Sequence, residues 1–157
     1  MAIEIERKFI ARPSVLAHCR SGTPLIQGYL YTDDANTIRI RQAGERMLVT
    51  WKGPRRGCRR DEVEFAIPPA DGMALLAHVP ASRRLEKTRF RVEHAGATWD
   101  VDVYGGGLAG LILAEIELER EDQPVTLPPW IQREVTSDAR YRNSRLAGNA
   151  MPERTAA

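Results

Sequence analysis

The sequence predicts an α+β protein that is mostly β and built on antiparallel strands, and three observations carry that prediction. Apolar residues recur with period two along most of the chain, helical spacing is confined to three short stretches, and turn-forming clusters separate the period-two runs. A length of 157 residues, with 43% apolar and 28% charged residues, suits one domain with a real core. That domain is expected over residues 1–148, with 149–157 as a flexible C-terminal tail.

Taken in order, the first strand runs from Ile3 to Ile10. Residues 25–31 form the second, closed by the turn cluster Asp33-Asp34-Ala35-Asn36. Thr37 to Gln42 and Met47 to Lys52 pair as a hairpin around Ala43-Gly44-Glu45-Arg46. The basic loop Gly53-Pro54-Arg55-Arg56-Gly57 leads into Arg60 to Ile67, and further strands follow at Leu85 to Glu93, Thr98 to Tyr104 and Ile112 to Glu119. Pro13 to Cys19 reads as a short helix, with Pro in its first turn and Gly22 beyond its end. Ala70 to Val79 carries Met73, Leu75, Leu76 and Val79 and stops at Pro80, so it reads as an amphipathic helix. A third helix is expected from Ser137-Asp138, good capping residues, to Ala147 before Gly148.

The charges narrow the function. Lys and Arg number 23 against 21 Asp and Glu, which argues against a disordered polyelectrolyte and against a nucleic-acid binder that relies on a basic excess. No apolar run long enough to span a bilayer occurs, and the acidic start Met1-Ala2-Ile3-Glu4-Ile5-Glu6 does not read as a signal peptide, so a cytoplasmic protein is expected. Cys19 and Cys58 lack metal-site spacing and could form a disulfide, but a reduced pair is the favoured reading, and His18, His78 and His94 are scattered.

On a strand, residues two apart share a face. Glu4, Glu6 and Lys8 therefore stand together, as do Arg39 with Arg41, Glu62 with Glu64, Lys87 with Arg89 and Arg91, Asp100 with Asp102, and Glu115 with Glu117 and Glu119. A one-sided sheet with this face in water is one reading. The bunching of like charges along single strands, which repel each other, favours a second: a sheet closed into a barrel with acidic and basic strands facing across a wet lumen. Such a lumen suits a hard, oxygen-preferring cation on its carboxylates and phosphate oxygens on its Arg and Lys set.

These residues resemble a known family. Glu4-Ile5-Glu6-Arg7-Lys8-Phe9 is similar to the E-x-E-x-K signature of the CYTH superfamily, the triphosphate tunnel metalloenzymes. The resemblance continues in order through Gln27-Gly28-Tyr29-Leu30, Arg39-Ile40-Arg41, Thr50-Trp51-Lys52, Glu62-Val63-Glu64, Glu86-Lys87-Thr88-Arg89, Asp100-Val101-Asp102, Ala114-Glu115-Ile116-Glu117 and Asp138-Ala139-Arg140-Tyr141-Arg142-Asn143. It implies an eight-stranded antiparallel closed β-barrel with a few flanking helices, whose tunnel binds a triphosphate and a divalent metal. The short bacterial inorganic triphosphatases are the members it resembles most. An H-F-x-G type feature associated with class IV adenylate cyclases is missing near the first strand.

The expected activity is metal-dependent hydrolysis of inorganic triphosphate to pyrophosphate and phosphate, with Mg²⁺ or Mn²⁺ as cofactor. Hydrolysis of thiamine or nucleoside triphosphate, a cyclase, and a non-catalytic polyphosphate or nucleotide-binding module are the alternatives. Lys8, Arg39, Arg41, Lys52, Lys87 and Arg89 are the expected phosphate ligands, and Glu4, Glu6, Glu62, Glu64, Asp102, Glu115 and Glu117 the expected metal ligands. Lys8 beside Tyr29 would favour the phenolate and resembles a catalytic pair proposed for some members, with Tyr29 as general base. Gly105-Gly106-Gly107 has no following Lys-Ser/Thr and reads as a connection, not a phosphate loop. Arg55-Arg56, Arg59-Arg60 and the Arg140-Tyr141-Arg142 segment are candidates for a tunnel mouth. The expected partner is a small triphosphate, with no membrane or nucleic acid, and an apolar exterior only partly covered by helices leaves room for a homodimer.

Overall fold

The computed structural model describes residues 2–148 and 151–152, so most of the expected C-terminal tail lies outside the described residues. All eight expected strands form: β1 (Ala2–Ala11), β2 (Thr23–Thr32), β3 (Thr37–Ala43), β4 (Arg46–Lys52), β5 (Arg59–Ile67), β6 (Arg84–His94), β7 (Ala97–Tyr104) and β8 (Ile112–Glu117). They hydrogen-bond in the order β5-β4-β3-β2-β6-β7-β8-β1, antiparallel at every pairing, and the first residues of β1 return to β5. The sheet is therefore a closed barrel, which excludes the one-sided open sheet and turns the charged strand faces inward.

Short turns make this closure cheap. Ala95 and Gly96 join β6 to β7 as two residues with φ of 50° and 77°, the handedness that matches strand twist. A ninth strand, β9 (Ile131–Glu134), was not expected. β1 pairs with β5 through Ala2–Ile5, and further along the chain Phe9–Ala11 of β1 pairs with β9. A bidentate pair from Arg7 to Glu134, at 2.8 Å for each contact, reinforces this junction.

The expected second helix is α1 (Pro69–His78), which lies over β3 and β4 with Leu76 buried against Ile40 and Met47. Gly72 lets it come this close, since a Cβ there would sit 2.4 Å from the Cβ of Met47. The first expected helix is a 3₁₀ segment, Pro13–His18. The third is broken. A 3₁₀ turn at Ala139–Tyr141, capped by Asp138, is followed by extended Arg142 and then by the single-turn α2 (Asn143–Leu146). The break accompanies two anchors that one continuous helix would not serve together: the Tyr141 ring is buried, and the Asn143 amide oxygen accepts from the Tyr104 hydroxyl.

Much of the apolar core sits outside the barrel wall. Phe9, Trp99, Val101, Ala114 and Ile116 pack there under Val15 and Trp130, with Trp99 edge-on to Phe9 at 5.5 Å and to Trp130 at 5.6 Å. A second cluster, Leu85, Tyr104, Leu113 and Tyr29, is covered by Val135, Tyr141 and Leu146. Leu85 and Leu113 share strand faces with Lys87 and Glu115, so the inward faces are apolar on one side of the charged rows.

Candidate active site

Closure gathers the charged faces around a cavity of about 210 Å³. β1 supplies Glu4, Glu6 and Lys8, β3 supplies Arg39 and Arg41, and β5 supplies Glu62 and Glu64. Tyr29, Lys52, Arg89, Glu115 and Glu117 complete the expected set that lines it. Strand register explains the arrangement. Lys8 faces Glu115 and Lys52 faces Glu62 across neighbouring strands, so cations stand beside acids on the wall, while Glu6 faces Glu117, acid against acid.

The cations and carboxylates neutralise one another. Lys52 donates to both Glu4 oxygens at 2.7 and 2.9 Å and lies 3.2 Å from Glu62. Arg39 donates to Thr50 at 3.0 Å and to Glu64 at 3.3 Å, and the Thr50 hydroxyl donates to the same Glu64 oxygen. Glu115 sits 3.2 Å from both Lys8 and Arg89. Burial alone would push the Glu115 carboxyl up, but Lys8, Arg89 and Lys87 outweigh it and hold it well below the usual range. Glu6 makes no ion pair among the described residues, and the pull of Lys52 and Lys8 on it is outweighed. Burial, then Glu115 and Glu4, push its carboxyl up to about 8.

Two expected ligands fall elsewhere. Lys87 and Asp102 have fully buried side chains, 2.5 Å apart, and neither lines the cavity. Asp102 also takes two bonds from Arg89, at 2.7 and 2.8 Å, so its carboxylate is committed to the wall. Asp100, one pleat along the same strand, lines the cavity instead. Lys8 and Tyr29 both line the cavity, with no hydrogen bond between them among the described residues. Lys8 reaches Glu115 and the carbonyl of Tyr141 at 3.4 Å, while the Tyr29 hydroxyl accepts from Gln27 at 3.1 Å. Gln27 in turn accepts from Arg41 at 3.0 Å and is fully buried. Gln27, Thr37 and Thr50 carry no charge, so the like-charge pattern that marked the other wall residues passed them over.

Two further cavities of opposite character share lining residues with the central one. One, of about 450 Å³, shares Arg55, Arg60 and Arg142 with it, three of the arginines considered for a tunnel mouth. The other, of about 330 Å³, shares Glu6, Asp100, Glu115 and Glu117 and adds Glu119 and Arg91. Arg140 lines neither and is held by Asp138. Cys19 and Cys58 are free thiols.

The carboxylates supply oxygen donors only, without His or Cys on this wall, which is the donor chemistry a hard divalent cation takes. Crowding of Glu6 by Glu4 and Glu115 is the repulsion that such an ion relieves. Among the described residues no three such groups stand close enough together to hold an ion unaided, because Glu4, Glu62, Glu64 and Glu115 are each turned to a cation.

A closed antiparallel barrel with both charge signs on its inward faces defines a small class of charged-lumen proteins. The chain belongs to the CYTH domain family, whose model matches residues 2–146. It is 37% identical over 149 residues to an inorganic triphosphatase of Acetivibrio thermocellus, covering 95% of this chain and 96% of that one. An inorganic triphosphatase of Nitrosomonas europaea is 39% identical over 150 residues, covering 92% and 96%. The crystal structure of the inorganic triphosphatase NE1496 is similar with a TM-score of 0.65 and 34% identity, covering 98% of this chain and 99% of that one.

Proposed function

We propose that the protein hydrolyses inorganic triphosphate to pyrophosphate and phosphate with a divalent cation, Mg²⁺ or Mn²⁺, as cofactor. The observation that carries this reading is the ring of Arg39, Arg41, Lys52 and Arg89 facing carboxylates across one cavity. A triphosphate meets the cations, and a metal ion meets the acids. The names of the two relatives support the choice of substrate. Cytoplasmic location is part of the proposal and rests on the two free thiols.

Arg39, Arg41, Lys52 and Arg89 bind and orient phosphoryl oxygens, and Lys8 adds charge beside Glu115. Glu4, Glu6, Glu115 and Glu117, with Glu62 and Glu64, would hold the cation. When bound, it supplies charge neutralisation at the phosphoryl oxygens and makes water more acidic. Tyr29 accepts from Gln27, which leaves its own O–H free to turn to the cavity as a general base or acid.

Phosphate release from tripolyphosphate, pyrophosphate, ATP and thiamine triphosphate, with Mg²⁺, Mn²⁺ or chelator, tests the reading. Tripolyphosphate should be cleaved fastest, and only with metal. Cyclic AMP formed from ATP as the main product would overturn it. The paired change Glu4→Gln with Glu6→Gln should lower turnover by about 10²-fold or more. A fully active pair would remove these two from the metal site. Tyr29→Phe should cut turnover by about 10²-fold while sparing substrate affinity, and an unchanged rate would take Tyr29 out of the chemistry.

A further inference from the structure

The cavity of about 450 Å³ beside the central one carries Arg55, Arg60, Arg83, Arg142 and Arg145 on its wall. Arg83 and Arg145 line it alone; the other three face both cavities. The five come from distant parts of the chain: the β4–β5 loop and β5 itself, the turn before β6, and the C-terminal segment. Barrel closure brings them together, and like charges so gathered repel unless an anion stands among them.

The protein's own anions serve them only in part, with Glu4 and Glu6 acting on Arg60 alone of the five. None of the five enters an ion pair among the described residues, and the carboxylates on this wall are Asp33 and Asp34. Asp33 is committed to its own turn, accepting from the backbone of Ala35 at 2.8 Å and Asn36 at 2.6 Å and from the Tyr31 hydroxyl at 2.8 Å. The Nε atoms of Arg55 and Arg142 are buried without an acceptor. Buried guanidinium donors are costly to leave unmade, and two in one wall are an unusual pair. Burial, followed by Arg55 and Arg145, also pushes the Arg142 guanidinium below its ordinary pKa. What the wall lacks is a group rich in acceptor oxygens and negative charge.

We infer that this outer cavity is a second phosphate-binding compartment, taking the fourth and later phosphates of a linear oligophosphate whose first three lie in the central cavity. Chain length is then read by Arg83 and Arg145 together with Arg55 and Arg142. The inference rests on the triphosphatase reading for the placement of the first three phosphates. An oligophosphate fits better than the base of a nucleotide, because the wall offers arginines, Thr32, Thr37 and Ser144, and its one ring, Tyr29, is only 6% exposed. A phosphate chain can use every one of these donors, whereas a base would find no exposed aromatic face here.

The test uses the whole chain and the double variant Arg83→Ala, Arg145→Ala, two exposed side chains outside the central cavity. Calorimetric titration with tripolyphosphate and with tetrapolyphosphate is carried out in chelator to suppress turnover. The wild type should bind tetrapolyphosphate about tenfold more tightly than tripolyphosphate, and the variant should lose that preference while holding tripolyphosphate as before. Equal affinity for both chains in the wild type, no binding of tetrapolyphosphate, or a variant that weakens both chains alike or neither would overturn the inference. Binding of orthophosphate that depends on Arg83 and Arg145, with no length preference, would make this a site for free phosphate and overturn the chain-length reading. A wild type that shows the preference in chelator but hydrolyses neither chain once Mg²⁺ or Mn²⁺ is restored would sink the triphosphatase reading and leave the length-reading compartment standing.

Discussion

Arg39→Ala is expected to lower kcat/KM for tripolyphosphate by about 10²–10³-fold, the effect typical of removing one preorganised donor from a site where charge develops. Arg39 is nearly buried, with one guanidinium nitrogen on Thr50 and Glu64, while its Nε is buried and has no acceptor. The carboxylate it leaves behind, Glu64, is 36% exposed, so water takes over that partner and the fold should be little affected. Arg39→Lys should not restore the rate, because an ammonium cannot serve the Thr50–Glu64 pair and a phosphate in one plane. Activity within about threefold of wild type, against the 10²-fold scale of such donors, would remove Arg39 from the phosphate site.

Asp102→Ala is the change with the largest expected effect on stability. It leaves Lys87 and Arg89 side by side in the wall without the carboxylate that pairs with both. Burial already holds the Lys87 ammonium down to about 7, against the pull of Asp102. Breaking a buried pair by removing one partner costs about 3–5 kcal/mol, against a total of order 10 kcal/mol for a domain. For a chain of this size that is a fall in melting temperature of about 10 °C, read by calorimetry or circular dichroism. Adding Lys87→Met should recover part of it, since an apolar group of similar reach needs no counter-ion. A melting temperature unchanged by Asp102→Ala would show that the pair carries no structural weight.

The contrast between Asp100 and Asp102 marks where sequence reading stops. Period two put both on the inward face and could not say which reaches the cavity, because depth along a barrel is set by strand stagger and not by alternation. Lys87 and Asp102 count among the expected ligands for the same reason, since alternation gives the face and not the depth. All eight barrel strands were legible because each alternates over five residues or more. β9 was not: it has four residues, of which only Ile131 is buried, and it exists because Trp130 anchors against Trp99 and leaves Ile131–Glu134 beside β1. The break at Arg142 hid for a similar reason, since good capping at Asp138 says where a helix starts and nothing about what pulls it apart later. Arg55, Arg60 and Arg142 were visible only as arginines near a mouth. Their convergence on one wall is a product of closure, which no local pattern records.

That closure runs through β1, whose residues pair with β5, β8 and β9 in turn. During synthesis β1 emerges before the other strands of the barrel, and β8 and β9 emerge after them. Until then the nascent chain carries unsatisfied strand edges, including the apolar Ile3, Val63 and Phe65 that stay exposed even in the finished barrel. The yield of folded protein should therefore respond to how soon β8 and β9 follow β1 out of the ribosome. That is a matter of biosynthesis rather than of the site's chemistry.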